Sequence, residues 1–496
     1  MSNDPLEPSA TGIALARLEL ISPDTKRAVQ NCKEADFVHC DPYNKYRTAD
    51  GSCNNLQHPH WGKSFSCFSR LLPPAYADGL SAPRVSLSGA PLPNPRIISA
   101  LIHRDLNYPA TYTHLTMQYG QFFAHDIAFT PSSRTRPREQ MNQITSYIDG
   151  SQVYGSMENE TRSLWTKTGP AGRMHVSLAA NGGELLPKST EPDSDQCSKP
   201  NQNQYCFKAG DKRVNQHPSL TALHVLFLRQ HNRIVNALKR INPHWVGDKL
   251  YEEANVFAEI LDDGRPSGYR LRENFFTPFG FNDGQLDAVM RGLISQAAQN
   301  RDPFISSDMK NHLYRPKDSP YGLDLPAFNV QRGRDHGIAS YTHYLKFCFD
   351  DKIYSWEELD QYMPTSQRLR LQKIYKSVYD IDLFTAGLME YPLPGAAVGP
   401  TFTCLIGIQM YNLKFGDRFW FEHENQVGSF TSQQLQELKK VTLAKIICAN
   451  SDNIKHIQKN VFRGESKRNP IVPCNSLHDT DLRAWRDVPG ETIVTF

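Results

Sequence analysis

The stretch from Thr111 to Phe129 constrains this chain most. It contains no proline, its only glycine is Gly120, and Pro131 follows it closely. An uninterrupted run of that length, closed by a proline, predicts an α-helix over 111–129. The run is apolar and aromatic around Phe122, Phe123, Ile127 and Phe129, yet it carries the ionisable pair His125-Asp126. Polar groups among such neighbours are costly to bury unless they find partners. On a helix, Gln121 and His125 stand at i and i+4 and share a face. Asp126 lies about 100° further round and faces elsewhere. One helix therefore offers a Gln/His pair to one site and a carboxylate to a second. On these residues alone, a buried histidine with a local hydrogen bond and a solvated aspartate serve equally well.

The rest of the chain reads as mainly α, with long irregular connections and few short strands. Helical patterns fall at 157–166, 218–241, 282–298, 336–349, 366–378, 402–414 and 431–449. Pro218 suits a first-turn position, and Thr431-Ser432 suits a helix start. In 218–241, Leu220, Leu223, Leu226 or Leu228, Val235 and Leu238 make an apolar stripe, with Arg229, Arg233 and Lys239 expected on the wet side. Residues 1–31 form a polar segment in which a helix over 12–20 is admissible. From Cys32 to Pro109 the text is rich in Pro, Gly, Asn and Ser. No composition break marks a linker beyond it, so 32–496 reads as one large domain.

With 39% hydrophobic and 22% charged residues and a net charge of +3, the composition suits a large globular protein and not a nucleic-acid partner. No apolar run is long enough to span a membrane. Ten cysteines occur without a zinc-type CxxC or a CxxCH haem-attachment motif. Many bracket loop-like text, which favours disulfides and an oxidising compartment, although buried thiols fit the same count. Met1 to Gln30 has no basic segment leading into an apolar one, so a secreted protein would need its signal upstream of this sequence.

Two further stretches carry chemistry. Gln143-Ile144-Thr145-Ser146-Tyr147-Ile148-Asp149-Gly150-Ser151 bears oxygen at every second side chain: Thr145, Tyr147, Asp149 and Ser151. In an extended segment these share a side. Hydroxyl, carboxylate and carbonyl oxygens suit a hard cation such as calcium. Asp126 would add the second carboxylate. A turn with local backbone bonds explains the same residues. The other stretch is Ala209-Gly210-Asp211-Lys212-Arg213-Val214-Asn215-Gln216, just before the 218–241 helix. Its Arg213 holds a permanent charge. Taken alone it reads as a surface arginine.

Together with Phe227-Leu228-Arg229-Gln230-His231-Asn232-Arg233, the long run Asp324-Leu325-Pro326-Ala327-Phe328-Asn329-Val330-Gln331-Arg332-Gly333-Arg334-Asp335-His336-Gly337 and Gly416-Asp417-Arg418-Phe419-Trp420, these motifs resemble the animal haem peroxidase superfamily. In character the chain is similar to the secreted invertebrate peroxidases. The resemblance runs from about Cys40 to Trp485. It implies a single large helical domain that binds haem b and calcium, reduces hydrogen peroxide and oxidises a small organic, tyrosyl or halide donor, as in a response to oxidative stress. It makes Gln121, His125 and Arg213 the distal site, with the neutral histidine moving the peroxide proton and the arginine steadying negative charge. It makes Asp126, Thr145, Tyr147, Asp149 and Ser151 the calcium ligands. It places Asn329 on the axial histidine's outer nitrogen and Arg332 at a haem propionate. His231 and His336 remain structural. Ala124 and Gln216 stand where the mammalian enzymes have carboxylates esterified to haem, so ester links are not expected. The implied disulfides are Cys40–Cys53, Cys197–Cys206, Cys348–Cys404 and Cys448–Cys474, which leaves Cys32 for Cys67.

One part of the pattern is missing. The family's axial histidine sits in an Arg-x-Gly-His helix, and no such motif occurs here. No histidine lies between His244 and His312. The text passes from Tyr251-Glu252-Glu253-Ala254 to Leu261-Asp262-Asp263-Gly264, as though a segment were deleted near 254–262. The iron ligand is therefore unassigned. The alternative function is an impaired enzyme, or a peroxidase-fold adhesion or matrix protein. A metal hydrolase built on His125 and Asp126 lacks the further ligands such a site needs.

Overall fold

Caps and prolines set where the helices begin, and apolar faces decide how they pack. The computed structural model describes residues 38–130, 138–166, 171–189, 197–199, 204–255, 271–316 and 318–487. The expected helix over 12–20 and the cysteine Cys32 lie outside them. In chain order, α1 (Pro95–Leu101) starts on Asn94, whose side chain accepts the Arg96 N–H. Strand β1 (Pro109–Thr113) leads directly into α2 (His114–Ile127). Helix α3 (Pro218–Ile241) has Pro218 in its first turn and His217 as its cap, and α4 (Gly247–Asn255) packs against it. Helix α5 (Leu286–Ser295) is followed by β2 (Ala297–Gln299), which pairs antiparallel with β1. Then come α6 (Leu325–Asp335), capped by Asp324, α7 (Tyr341–Phe349), α8 (Pro400–Phe415) and α9 (Leu443–Asn450). Among the described residues, strands occur only as two-stranded antiparallel pairs.

The helical reading holds, with shifted ends. The helix expected over 111–129 loses its start to β1, because Thr111, Tyr112 and Thr113 suit an extended strand and find β2 to pair with. The expected 282–298 ends at Ser295, where β2 takes over. The expected 431–449 divides into Ser432–Leu438 and α9, because the Thr442 side chain accepts the Lys445 N–H and starts a new helix. The expected 336–349 starts only at Tyr341. Gly337 turns the chain at φ 64°, and a side chain there would collide with the Tyr76 ring. Residues 146–149 form bends, and Ser151 opens a short helix, so the alternation of a strand does not apply.

Helix α3 is buried nearly all round, not on one stripe. Leu220, Leu223, Val225, Leu226 and Leu228 are all fully enclosed. Each such side chain contributes about 1.5–3 kcal/mol of burial. Arg229, expected on the wet side, points inward to Asp452 at 2.7 Å and to the carbonyls of Glu184 and Asn450. Around α3 lies one core cluster, shared with Leu115 and Phe122 of α2, Met290 and Ile294 of α5 and Ile447 of α9. A second cluster holds Ile98 of α1, Val330 of α6, Tyr341 and Leu345 of α7, and Tyr375. Thus α2 and α6, which carry the two halves of the expected site, grow out of different cores. The four disulfides expected between described cysteines are all formed. Cys67 is also disulfide-bonded.

Candidate active site

Helix α2 separates its functional groups by direction, as its periodicity requires. His125 is 7% exposed, and its Nδ1 is buried with no hydrogen-bond partner. Burial, reinforced by the charge of Arg213, lowers its pKa to about 3. The imidazole is therefore neutral at physiological pH and available to accept a proton. Gln121, one turn earlier, is held by its neighbours. Its Oε1 accepts from Gln118 Nε2 at 3.3 Å and is 2.9 Å from His217 Nε2. Its Nε2 donates to Gln216 Oε1 at 3.1 Å. Gln216 and His217 come from the turn that opens α3, so two helices fix this amide.

Arg213 does not stand free beside His125. Its guanidinium is paired with Asp211, the shortest contact being 2.5 Å. It also donates to the carbonyls of Ala128 and His125, at 2.9 and 3.4 Å, and lies 4.4 Å from the centre of the Phe129 ring. A cation at the carbonyl end of α2 complements the helix dipole. Asp211 stays below the usual carboxylate range: burial would raise it, but the bonds and charge of Arg213 outweigh that. The arginine thus ties down the end of the helix that carries His125. Sequence reading missed Asp211, though an aspartate two residues before an arginine in a turn is a recognisable local cap.

The carboxylate side of α2 faces the 145–151 segment. Asp126 accepts the Ser151 N–H at 2.7 Å and the Gly150 N–H at 3.3 Å, and Ser151 Oγ lies 3.1 Å from it. Asp149 accepts Thr145 Oγ1 at 2.9 Å and the Ser151 N–H at 3.1 Å. Burial first, and then the Asp149 charge, pushes Asp126 well above its ordinary range. Burial likewise raises Asp149 to about 6. Two enclosed carboxylates, Asp126 raised by the charge of Asp149 and Asp149 by that of Asp417, with hydroxyl oxygens beside them, suit a divalent cation of the hard type. Tyr147 contributes no hydroxyl here, because its Oη donates to the Trp61 carbonyl at 2.6 Å. Its main-chain oxygen is what remains. Among the described residues no group of three His, Cys, Asp or Glu forms a metal cluster, and a calcium site with two carboxylates needs none.

Whether haem fits can be judged one wall at a time. On α2, Met117, Gly120 and Ala124 form an exposed stripe beside Gln121, and a side chain at Gly120 would meet nothing within 4 Å. A flat group can lie there, next to a neutral imidazole. On α6, Asn329 is half-buried and Arg332 exposed, and neither side chain has a hydrogen bond or ion pair among the described residues. Both are available to a ligand. At the end of α6 the His336 carbonyl accepts from Arg70 at 2.7 Å, while its ring Nε2 is buried without a hydrogen-bond partner. His231 Nε2 lies 2.9 Å from the Gly172 carbonyl. Asn329 makes no hydrogen bond to any described histidine. The fit is therefore one-sided. The cavity of about 970 Å³ lies elsewhere, on the Asp126 side, lined by Phe122, Tyr154, Phe227, Tyr251, Glu252 and Phe419 among others.

A sequence model of the animal haem peroxidases matches residues 46–136, 132–260 and 255–462. The chain belongs to the animal haem peroxidase family. It is 33% identical to the peroxidasin homolog of Mus musculus over 597 aligned positions, which cover 93% of this chain and 40% of that protein. It is 29% identical to the peroxidase of Drosophila melanogaster, covering 89% of this chain and 83% of the relative. The chain thus spans about two fifths of the length of its peroxidasin relatives. Peroxidase A from Dictyostelium discoideum superposes with a TM-score of 0.70 at 24% identity, over 85% of this chain and all of the other. That likeness establishes the shared peroxidase fold.

Proposed function

We propose that this chain acts on hydrogen peroxide at the α2 wall, with His125 as the acid–base group. The observation that carries this reading is a buried, neutral imidazole beside an open face of the helix, in a family of peroxidases. His125 takes the proton of the bound peroxide and returns it to the departing oxygen. Arg213 and Asp211 hold the end of α2, so that the imidazole stays in place. Haem, where bound, supplies the redox chemistry. Ala124 and Gln216 offer it no carboxylate, so acid–acetone extraction should release it whole. The donor is a small phenol, a tyrosyl group or a halide. Calcium at Asp126, Asp149, Thr145 and Ser151 would fix the residue next to His125 through the backbone. Four described disulfides favour an extracellular setting.

A second reading, that the chain is impaired or non-enzymatic, has its own support. Two of the family matches meet at 255–260, and the 597 aligned positions exceed the length of this chain. The large cavity borders Tyr251, Glu252 and Glu253 near that break. Helix α8 is apolar along its length, yet Ile406, Tyr411 and Phe415 are 47, 63 and 58% exposed. A helix apolar all round is normally covered. Haemin titration separates the readings. An active chain gives a histidine-type Soret band and guaiacol oxidation that falls about 10²- to 10⁴-fold in His125→Ala. A chain that takes up no haemin specifically fits the second reading, and sequencing the transcript across codons 250–265 shows whether the short connection is native.

A further inference from the structure

The amide of Gln121 has two possible orientations, and the structure names the residue that chooses between them. We propose that His217 is a positioning residue that fixes the Gln121 amide, so that its N–H rather than its carbonyl faces the His125 wall. This rests on the peroxide-site reading above.

His217 is buried at the start of α3, between Gln216 and Pro218. Its Nδ1 accepts the Leu220 N–H at 3.4 Å, serving as the helix cap. A ring nitrogen that accepts a backbone N–H must carry its lone pair, so in the neutral ring the hydrogen sits on Nε2. That nitrogen is 2.9 Å from Gln121 Oε1 and donates to it. Gln118 Nε2 donates to the same oxygen from 3.3 Å. The His217 N–H requires an acceptor there, and a flipped amide would set its NH2 group against it. Gln121 Nε2 is therefore turned to Gln216 Oε1, and one of its hydrogens remains for the site. The capping bond sets the His217 tautomer, the tautomer sets the amide, and the amide offers a donor beside the neutral His125. Serine or aspartate, the usual caps, would satisfy Leu220 but reach no further.

The test uses the full chain with ¹⁵N-labelled His and Gln. Without haemin, His217 should show the Nε2–H tautomer. His217→Leu should displace the Gln121 side-chain amide signals, and His217→Gln, which keeps a donor, should bring them back toward the wild-type positions. In the haemin-loaded protein, His217→Leu should lower kcat/KM for peroxide by about 10- to 100-fold, the usual cost of removing an outer-shell partner. KM for guaiacol should stay unchanged, and the Gln variant should recover most of the rate. An Nδ1–H tautomer, unchanged Gln121 signals in the Leu variant, or equal losses in both variants would overturn the proposal. A wild-type protein without peroxide turnover would defeat the functional reading, while the tautomer and amide signals would still decide this one.

Discussion

Helices α2 and α6 carry the two halves of the expected site, and they are built in opposite ways. On α2 the chain itself fixes what surrounds His125, although His125 Nδ1 has no hydrogen-bond partner of its own. Gln121 has three side-chain neighbours, and the helix end below His125 is clamped by Arg213 and Asp211. On α6 the scaffold is engaged and the functional side chains are not. Arg334 forms a two-pronged pair with Asp382, which also receives Arg84 and Tyr375, while Asn329 and Arg332 reach no partner among the described residues. The difference teaches that the first wall is preorganised by folding. The second is anchored through Arg334 and Asp382, with Asn329 and Arg332 left available.

That contrast can be broken at its strongest point. If α6 is firmly positioned, Asp382→Ala should cost about 3–5 kcal/mol, because it strands two buried arginines. A urea midpoint close to wild type would show that α6 is not anchored as described. The next effect belongs to α2. Free calcium at a hundred times its Kd should stabilise the protein by about 2.7 kcal/mol, seen as a raised Tm that a chelator reverses. Asp126→Asn should abolish the response, and a Tm indifferent to calcium in wild type would remove the cation from that side of α2. The smallest effect sharpens the comparison. Arg332→Ala should change stability by no more than about 0.5 kcal/mol while weakening haemin binding. A larger loss of stability would mean that Arg332 serves the fold.

Much of this was legible in the residues. The helix 218–241 was bounded correctly because Pro218 and a long apolar run both mark it. The division of α2 into a Gln121/His125 face and an Asp126 face followed from helical periodicity alone. Other features were not legible, because they depend on partners far away in the chain. The start of α2 was lost to a pairing with residues 297–299. Tyr147 alternated with the other oxygen donors in sequence, but Trp61 claims its hydroxyl. Arg213 donates to the Ala128 carbonyl, 85 positions away, a contact that its own turn does not announce.

By itself the sequence determined the periodicity, the helix starts, the absence of carboxylates at Ala124 and Gln216, and the lack of a histidine between His244 and His312. Those are local or compositional properties, and no packing can change them. The tertiary structure alone decided which side chains share hydrogen bonds: His217 with Gln121, Ser151 with Asp126, and Asp382 with Arg334 and Arg84. A hydrogen bond needs two groups within about 3 Å. Residues 24 to nearly 300 positions apart reach that distance only once helices from separate parts of the chain have packed.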